Sequence, residues 1–471
     1  MPPLFTIPEI LAATGGKLAQ GGASAAFCGV STDSRTCQAG ELFIPLSGER
    51  HDGHAFIPGA LRRGARGVLV ERRIWAAAGT GPASKPAPAL PPETAVVAVL
   101  DTLTALGDLA RSWRDRFSIP VAAITGSCGK TTTKEMLALV LSRAYCVHKN
   151  VLNLNNLIGL PLTLLELGHG HDAAVVEMGM NRFGEIRRLT QICRPTIGLL
   201  LNVHPAHTEG VGDLEGVAAA KGELLETLEE SAILVYNADD PLIAKRARNF
   251  PGRSLGFGFQ PAADVRAGGR KSLGGEGQTA SIAFAGRSWP LNLAVPGLHQ
   301  LYNALAATAA GLALDLDPEE TARALRDFRA VHRRSQIVTL PSGAHLLNDC
   351  YNANPGSMAM ALNTLRELCH RGRGAAALGD MLELGDNSAR AHRDLGRHAA
   401  AAGLDLLVVY GKFSGEVAGG AKEGGMPPKR ILPVASRAEG AAILRDFLQP
   451  GDWLLVKGSR SMHMEGLIDL L

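Results

Sequence analysis

The sequence predicts an α/β protein of three domains, and three observations support this prediction. Between residues 119 and 237, apolar runs suited to buried strands alternate with segments of helical periodicity, which is typical of βαβ units on a parallel sheet. A second series of apolar runs and helix-like segments follows Arg334. The chain has 471 residues, more than one hydrophobic core usually holds. We therefore place the domains at residues 1–100, 101–330 and 331–471.

The same patterns predict the elements of each domain. Residues 77–95 are rich in Pro, Ala and Gly and lack periodicity, which indicates a loop near the first boundary. In the second domain we predict strands at 119–125, 172–178, 196–203 and 231–237. We predict helices at 130–145 and 213–230. In the third domain we predict strands at 345–349, 374–380, 406–411 and 452–458, separated by helices.

Composition excludes several classes of protein. Hydrophobic residues make up 46% and charged residues 20% of the chain, which is typical of a folded globular protein. The net charge is +3 with both signs interspersed, so we expect no nucleic-acid partner. The N-terminus has no cationic segment followed by an apolar stretch, and no apolar run reaches ~18 residues. We therefore expect neither secretion nor a membrane span.

The cysteines indicate the cellular compartment in which the protein works. There are seven of them, an odd number, and none has a CxxC spacing. This pattern is typical of reduced thiols in a cytosol, and we expect a cytoplasmic protein. Nothing in the sequence requires more than a monomer.

A short glycine-containing loop joins the strand predicted at 119–125 to the helix predicted at 130–145. It reads Gly126-Ser127-Cys128-Gly129-Lys130-Thr131-Thr132-Thr133. In such a loop, backbone N–H groups and the helix N-terminus attract phosphate, the lysine adds positive charge, and a threonine hydroxyl can hold Mg²⁺. The loop is shorter than the common pattern, because Ile124 stands where that pattern has its first glycine. The alternative is a glycine-rich turn without a ligand.

Polar residues follow the other strands of the second domain. They are Glu177, Asn202, His204, His207, Asn237, Asp239 and Asp240. In an open α/β sheet, ligands bind beyond the carboxyl ends of the strands. Singly, each of these residues is more often a cap or turn residue than a ligand. Together with a phosphate loop at the same edge, they predict a site for a nucleotide with Mg²⁺.

Lys221 lies on the apolar face of the helix predicted at 213–230. The positions at helical spacing are Leu214, Val217, Lys221, Leu225 and Leu228. A buried ammonium group is costly unless it is paired or modified. The alternative is a partly buried lysine whose amine reaches solvent.

Motifs along the chain resemble those of one enzyme family. They include STDSRTCQAGELFIPLSGERHDGHAFIPGAL, TGSCGKTTTKE, LNLNNLIGLPLTLLEL, EMGMNRFGEI, NVHPAHTEGVG, AKGE, PGLHQLYNALAA, DCYNANPGSM, LGDMLELG and VKGSR. Together they resemble the Mur ligases over nearly the whole chain and in the same order. The resemblance implies an N-terminal UDP-binding α/β domain, a central parallel-sheet domain like that of P-loop ATPases, and a C-terminal Rossmann-like α/β domain.

The resemblance implies roles for the residues that bind phosphate and metal. Lys130 and the amides of residues 126–132 would hold the β and γ phosphates of ATP. Thr131 and Glu177 would bind one Mg²⁺ ion, and His207 would bind a second. Lys221 would be carbamylated, and this anionic group can bind Mg²⁺ where an ammonium group would be repelled.

Further nucleotide contacts follow from the resemblance. Asn303 falls at the adenine contact, and Asp349 falls at the ribose contact. Arg334 falls at a hinge near the γ-phosphate, and with Lys130 it would neutralise charge during catalysis. Gln300 departs from the family pattern, because many relatives have Asn after the residue equivalent to His299.

The two substrates would lie in the outer domains. By resemblance, the residues near the uridine diphosphate are Asp33, Ser34, Arg35, Asp52, Gly53 and His54. Taken alone, the segment at 33–35 could be a polar turn. Tyr351, Asn352 and Asn354 match the motif that binds the incoming amine, although both asparagines could also form a turn before Pro355.

The resemblance implies an activity. The DNPR signature of the diamino-acid-adding relatives is absent, which favours D-alanyl-D-alanine as the amine and UDP-N-acetylmuramoyl-tripeptide as the acceptor. The carboxylate would be activated by ATP as an acyl phosphate, in synthesis of a cell-wall precursor. A diamino-acid-adding Mur ligase or a folylpolyglutamate synthetase is the nearest alternative. A P-loop ATPase or kinase, or a nucleotide-binding scaffold, is an alternative of a different class.

Overall fold

The computed structural model describes residues 4–48, 51–77, 90–151, 153–369 and 372–471. The strands are β1 (Phe5–Thr6), β2 (Lys17–Gln20), β3 (Ala26–Phe27), β4 (Val30–Ser31), β5 (Leu42–Phe43), β6 (Gly67–Glu71), β7 (Ala95–Val99), β8 (Val121–Thr125), β9 (Val147–Lys149), β10 (Ala173–Glu177), β11 (Ile197–Leu200), β12 (Ile233–Asn237), β13 (Ser254–Gly258), β14 (Val265–Ser272), β15 (Gln278–Phe284), β16 (Arg287–Leu293), β17 (Gln336–Thr339), β18 (His345–Asn348), β19 (Gly374–Gly379), β20 (Leu406–Tyr410), β21 (Ile431–Val434) and β22 (Trp453–Lys457).

Helices alternate with these strands. They are α1 (Ile7–Thr14), α2 (Ile57–Arg62), α3 (Arg72–Ala77), α4 (Thr102–Arg114), α5 (Lys130–Leu141), α6 (Gly159–Leu165), α7 (Glu185–Cys193), α8 (Thr208–Val211), α9 (Leu214–Thr227), α10 (Pro241–Ala247), α11 (Leu298–Ala313), α12 (Pro318–Arg326), α13 (Pro355–Leu368), α14 (Ser388–Ala401), α15 (Ser414–Glu423), α16 (Arg437–Phe447) and α17 (Glu465–Ile468). Among the described residues, no helix is both long enough and apolar enough to span a membrane.

The chain forms two compact units. The first consists of Met1–Ile119, Asn150–His171 and Arg188–Arg194, and the second consists of Pro120–Lys149, Asp172–Arg187 and Pro195–Leu471. The domain ranges 1–100, 101–330 and 331–471 stay predictions. Of the loop predicted at 77–95, residues 78–89 lie outside the described residues.

The first unit contains a five-stranded sheet in the order β2-β7-β6-β5-β4. β2 pairs with β7 antiparallel, and the other pairs are parallel. Every residue of β6 and β7 is buried, as expected of parallel strands covered on both faces. Phe43, Val68 and Val96 belong to the core beside this sheet.

The second unit contains two sheets. The larger has nine strands in the order β16-β15-β14-β13-β12-β11-β8-β10-β9, and the smaller has six in the order β17-β18-β22-β19-β20-β21. From β13 to β9 the larger sheet is parallel, whereas β14, β15 and β16 form an antiparallel meander. In the smaller sheet only β17 is antiparallel to its neighbour.

The register of the larger sheet determines where a ligand can bind. β8 lies between β11 and β10, with Leu200 opposite Thr125 and Glu177 opposite Ile124. The carboxyl ends of these three strands therefore meet at one edge, and the strand order reverses there. Such a reversal opens a crevice in which α/β proteins bind ligands.

The α/β fold class and the parallel sheets predicted from the sequence are confirmed. Each strand predicted in the second and third domains is present, with ends that differ by at most three residues. In these domains the sequence prediction missed the strands β9, β13, β17 and β21 and the meander of β14 to β16. In the meander, buried residues alternate with exposed or partly exposed ones along the strands, so no long apolar run marks it.

Candidate functional site

The loop predicted to bind phosphate joins β8 directly to α5. Gly129 precedes the first residue of α5 with φ +83°, a left-handed conformation that favours glycine. The ammonium group of Lys130 donates a hydrogen bond to the carbonyl of Gly126 at 2.7 Å, so it lies over the loop. Thr131 and Thr132 follow in the first turn, and both are buried. This arrangement of backbone amides, helix N-terminus and ammonium group suits a phosphate.

Replacing Gly129 with alanine should disrupt this loop. A Cβ atom at this position would lie 2.3 Å from Oδ1 of Asn303, in addition to the strain of φ +83°. We expect the free energy of unfolding to fall by roughly 1–3 kcal/mol and nucleotide affinity to fall with it. Gly403→Ala is the matched control, because Gly403 has φ +74° and a Cβ atom there would meet no atom within 4 Å. Denaturant unfolding and nucleotide titration would measure both effects, and equal results for the two variants would contradict the prediction.

Two residues at the end of β11 hold the loop in place. Oδ1 of Asn202 accepts a hydrogen bond from the Cys128 amide at 2.8 Å, and Nδ2 of Asn202 donates one to the Cys128 carbonyl at 3.1 Å. The Ser127 hydroxyl makes two hydrogen bonds of 2.9 Å to the backbone of His204. Asn202 and His204 therefore lie at the predicted edge, where they support the loop.

A residue of α11 contacts the loop from the other side. Oδ1 of Asn303 accepts a hydrogen bond from Thr133 at 3.3 Å, and its Nδ2 donates one to Oε1 of Gln300 at 3.2 Å. Gln300, the departure from the family pattern, thus orients Asn303. The side chains of Ala304 and Ala307 on α11 are small and fully buried, so this helix packs close to α5.

A cavity of about 610 Å³ opens beside the loop. Asn303 lines it, as do Cys128, Gly129, Asn202, Val203, His204, Leu214, Glu215, Asn237, Asp239, Asp240, Pro241, Leu242, His299, Tyr302 and Met360. Its size is within the range of small-molecule sites in proteins. Loop and cavity together can accommodate a nucleotide, with its phosphates at the loop.

Two acidic residues at the end of β12 have structural roles. Asp240 accepts hydrogen bonds from the amides of Leu242 and Ile243, and so caps α10. Asp239 accepts hydrogen bonds from the amide of Phe259 at 2.7 Å and from the hydroxyl of Tyr302 at 2.8 Å. Both carboxylates line the cavity while they hold its walls together.

Charged side chains gather around Lys130. Glu177 at the end of β10 is 1% exposed. Burial lowers the pKa of Lys130 below its usual value; the charge of Glu177 opposes this shift, and the charge of Arg334 adds to it. Lys221 on α9 is also 1% exposed, so its amine does not reach solvent. Burial lowers the pKa of Lys221 well below its usual range, and the charge of Lys130 lowers it further. The buried amine of Lys221 thus lies within electrostatic range of the amine of Lys130.

His207, the predicted second metal ligand, precedes the short helix α8 and has φ +56°. Its Nδ1 atom lies 2.7 Å from Oε2 of Glu383, in the segment after β19. The close contact with the His207 ring holds the pKa of Glu383 below its usual range. This segment carries the motif LGDMLELG, but the sequence predicted no role for Glu383.

The residues after β18 lie around Arg334. The guanidinium carbon of Arg334 lies 4.0 Å from the centre of the Tyr351 ring, a cation–π contact. Oδ2 of Asp349 pairs with the buried Lys457 at 2.5 Å, and Lys457 also donates to the carbonyl of Asn352 at 2.9 Å. Lys457 at the end of β22 was missed as a site residue, although the motif VKGSR contains it.

Asn354 connects the amine motif to the phosphate loop. Its Oδ1 caps α13 by accepting a hydrogen bond from the Ser357 amide at 2.9 Å. The same oxygen lies 3.2 Å from the Cys128 sulfur, and Nδ2 donates to the carbonyl of Ser127 at 3.3 Å. Asn354 therefore caps a helix and also reaches the loop, and its role in binding the amine stays a prediction.

The residues predicted to bind uridine diphosphate belong to the first unit. Asp33 forms an ion pair with the exposed Arg35 at 2.7 Å, and this pairing lowers the pKa of Asp33 to about 2. Ser34 lies between them in the turn. Asp52 caps the short helix Gly53–Phe56 and lies 2.7 Å from Nδ1 of His54. Both motifs are ordered turns, and their role in binding stays a prediction.

A histidine at the cavity should make the free energy of unfolding depend on pH. Burial lowers the pKa of His299 from 6.5 to about 4; Asp349 and Glu367 raise it, and Lys457 and Arg270 lower it. The unfolded chain therefore binds more protons between pH 4 and 6.5, and stability is lost as the pH falls through this window. We expect His299 to contribute a loss of roughly 2 kcal/mol by about pH 4.5.

Unfolding of His299→Gln at two pH values would test this expectation. The difference in free energy between about pH 7 and about pH 4.5 should shrink by roughly 2 kcal/mol relative to the unmodified protein. His398→Gln, at an exposed histidine of α14, is the control and should leave the difference unchanged. An equal dependence on pH in both variants would refute the role of His299.

Fold and site together define a class: an α/β protein whose phosphate loop lies at the point where a parallel sheet reverses its strand order. Three family descriptions match consecutive parts of the chain. They are "Mur ligase family, catalytic domain" at residues 27–114, "Mur ligase middle domain" at 124–311 and "Mur ligase, glutamate ligase domain" at 333–460.

Individual proteins match over almost the full length. UDP-N-acetylmuramoyl-tripeptide--D-alanyl-D-alanine ligase of Bacillus subtilis (strain 168) is 34% identical over 446 residues, covering 93% of this chain and 92% of that protein. The crystal structure of MurF from Acinetobacter baumannii has a TM-score of 0.88 at 31% identity, covering 99% of this chain and 98% of that one. MurF from Thermotoga maritima in complex with ADP has a TM-score of 0.81 at 28% identity, covering 94% and 96%. The chain belongs to the Mur ligase family and is an ATP-dependent ligase.

Proposed function

We propose that this protein joins D-alanyl-D-alanine to UDP-N-acetylmuramoyl-tripeptide, with ATP as the source of energy. The observation that carries the proposal is the contact of Asn354, in the predicted amine motif, with Ser127 and Cys128 of the phosphate loop. An activated carboxylate at the loop would therefore meet an amine held by the motif. The relative from Bacillus subtilis, whose name states these substrates, supports this choice over a diamino acid or a folate.

The residues at the loop fit Mg²⁺ bound together with a nucleotide. Within the described ranges, no three His, Cys, Asp or Glu side chains form a ready-made metal site. Nucleotide-bound Mg²⁺ needs only one or two protein carboxylates, because phosphate oxygens and water complete its coordination. The buried carboxylate of Glu177 and the hydroxyl of Thr131 are suitable ligands at the loop, and His207 would bind a second ion. When bound, the ions would neutralise charge on the transferred phosphoryl group.

We infer that Lys221 is carbamylated in the active protein. Carbamylation requires a neutral amine, and burial together with Lys130 lowers the pKa of Lys221 and so favours the neutral form. Addition of CO₂ would replace one of two neighbouring positive charges with a negative one. The repulsion between Lys130 and Lys221 would become an attraction, and the carbamate could bind a metal ion.

The remaining steps follow from the side chains around the loop. The tripeptide carboxylate attacks the γ-phosphorus, the bond to the bridging oxygen breaks, and ADP leaves. Lys130 and Arg334 stabilise the charge that develops on the phosphoryl oxygens. The amine nitrogen of D-alanyl-D-alanine then attacks the carbonyl carbon of the acyl phosphate, loses a proton, and expels phosphate as the amide forms. Tyr351, Asn352 and Asn354 would orient the amine, and Asn303 and Asp349 would contact adenine and ribose.

The first unit would hold the UDP end of the acceptor, through the turn at residues 33–35 and the motif at 52–54. The ranges 1–100, 101–330 and 331–471 would then correspond to acceptor, nucleotide and amine domains. We further propose that the protein acts in the cytoplasm, because all seven of its cysteines are free thiols, and that it acts as a monomer.

A single incubation tests the proposed function. The protein is mixed with ATP, Mg²⁺, UDP-N-acetylmuramoyl-tripeptide and D-alanyl-D-alanine, and the products are measured by mass. We expect a pentapeptide product and one ADP for each amide formed. A diamino acid or glutamate in place of the dipeptide should give no product. ADP formation that needs neither acceptor nor amine would instead indicate an ATPase or kinase.

A further inference from the structure

His204, which follows β11, lines the cavity beside the phosphate loop. Its backbone is fixed to that loop, because the Ser127 hydroxyl accepts a hydrogen bond from the His204 amide and donates one to the His204 carbonyl, both at 2.9 Å. The amide of the preceding residue, Val203, donates to Oδ2 of Asp240 at 2.8 Å. The position of the His204 backbone is therefore set by the protein itself.

The imidazole ring of His204 packs against the start of α13. A Cβ atom at Gly356, the second residue of that helix, would lie 2.5 Å from Cγ and 2.8 Å from Cδ2 of the ring. The ring thus lies directly on this glycine, where a larger residue would collide with it. Packing therefore holds the ring in place.

Within the part of the chain that the structure describes, no hydrogen bond holds Nε2 of this ring. The atom is shielded from solvent and has no hydrogen-bond partner. A buried polar atom without a partner destabilises a folded protein, so such an atom in a native structure calls for a functional explanation.

The other polar side chains that line the cavity are all engaged within the protein. Asn237 donates to the carbonyl of Leu201 at 2.9 Å, for example, and Tyr302 donates to Asp239 at 2.8 Å. The remaining ones likewise have a hydrogen bond or an ion pair to another residue. Among the described residues of this lining, His204 alone has a buried polar atom left over for a ligand.

The surroundings of His204 favour a neutral imidazole. Burial lowers the pKa of His204 below its usual value; the charge of Asp240 opposes this shift, and the charge of Lys221 adds to it. A neutral imidazole carries one N–H donor and one acceptor nitrogen. It can therefore form a hydrogen bond with a ligand without adding a positive charge near Lys221.

We propose that Nε2 of His204 forms a hydrogen bond with the nucleotide bound in this cavity. The inference rests on the proposed function, in which the phosphates of ATP lie at the loop. Because the His204 backbone is bonded to Ser127, the contact falls on the part of the nucleotide next to its phosphates. The same ring packs on α13, whose cap is Asn354, so the contact also connects the nucleotide to the predicted amine motif.

Nucleotide binding without turnover tests this proposal. ADP is titrated into the whole chain in the presence of Mg²⁺ by isothermal titration calorimetry, and the melting temperature is measured without nucleotide. His204→Leu, which cannot form the hydrogen bond, should weaken ADP binding by about 3- to 10-fold, the usual effect of one hydrogen bond. Its melting temperature without nucleotide should be unchanged or higher, because an apolar group replaces a buried nitrogen that has no partner.

Two further variants complete the experiment. His204→Gln, whose side-chain amide can reach the position of Nε2, should keep most of the affinity for ADP. His398→Leu, at an exposed histidine of α14, is the control and should bind ADP like the unmodified protein. Should His204→Leu fail to fold, His204→Asn, which is too short to reach the position of Nε2, takes its place in the comparison.

The outcomes separate this inference from the proposed function. Weaker binding in His204→Leu with affinity kept in His204→Gln supports the inference. Equal affinity in His204→Leu and the unmodified protein overturns it, and the ring nitrogen then meets only water. Loss of affinity in both variants also overturns it, because the packing of the ring and not its nitrogen is then responsible. Failure of the unmodified protein to bind ADP would contradict the proposed function itself, and the inference with it.

Discussion

Replacing Lys130 with alanine is expected to lower ATP-dependent ligation by at least about 100-fold while the fold remains intact. The ammonium group lies over the loop, 2.7 Å from the Gly126 carbonyl, where the terminal phosphates of a nucleotide would bind. It stabilises negative charge in a buried setting, so its removal raises the barrier more than loss of an exposed lysine would. The side chain makes no hydrogen bond that links distant elements, and the melting temperature should change little.

The control for this variant is Lys245→Ala. Lys245 lies on α10 in the same unit and is exposed, so its loss should leave both ligation and the melting temperature unchanged. Product formation is followed by mass and ADP release by a coupled assay. A Lys130→Ala protein that ligates at near-normal rate would remove the basis for assigning the loop to phosphate.

Replacing Lys221 with alanine is expected to reduce ligation by about 100-fold or more, and short carboxylic acids such as acetate should restore part of the activity. The physical reason is that the proposed carbamate would supply a carboxylate-like group in a fully buried position, which a small carboxylate could replace. Lys130→Ala should show no such rescue, because a missing positive charge is not replaced by an anion. This contrast separates loss of a metal ligand from general damage to the site.

A direct measurement accompanies the rescue experiment. Protein incubated with carbon-13 bicarbonate should give a carbamate signal in nuclear magnetic resonance, and Lys221→Ala should lack that signal. Lys422→Ala, at an exposed lysine of α15, is the control and should retain it. Full activity of Lys221→Ala without any added acid would show that the buried amine has no part in catalysis.

Local pattern was sufficient to predict the phosphate loop and the parallel strands. The loop joins adjacent elements, and the strands are buried on both faces, so each leaves a continuous signal in the sequence. The meander of β14 to β16 left no such signal, because its side chains alternate between core and solvent along each strand. Its existence depends on cross-strand pairing, which no single segment reveals.

The roles of side chains were harder to predict than their location. Asn202, His204, Asp239 and Asp240 lie at the predicted edge of the sheet, where Asn202 and His204 support the loop, Asp240 caps α10 and Asp239 bonds to Phe259 and Tyr302. Glu383 was missed, although its motif had been noted, because its meaning comes from a partner far away in the chain. Lys457 was missed for the same reason, since it is 108 residues from Asp349.

The side chain of Asn354 gives this protein a point of vulnerability. It caps α13 and contacts Ser127 and Cys128 in the loop, so one amide group supports two segments at once. A small compound that displaced this amide would distort both segments through a single contact. An inhibitor that bound at this point would not act by competing with a single substrate. A resistance mutation at Asn354 would itself impair the enzyme.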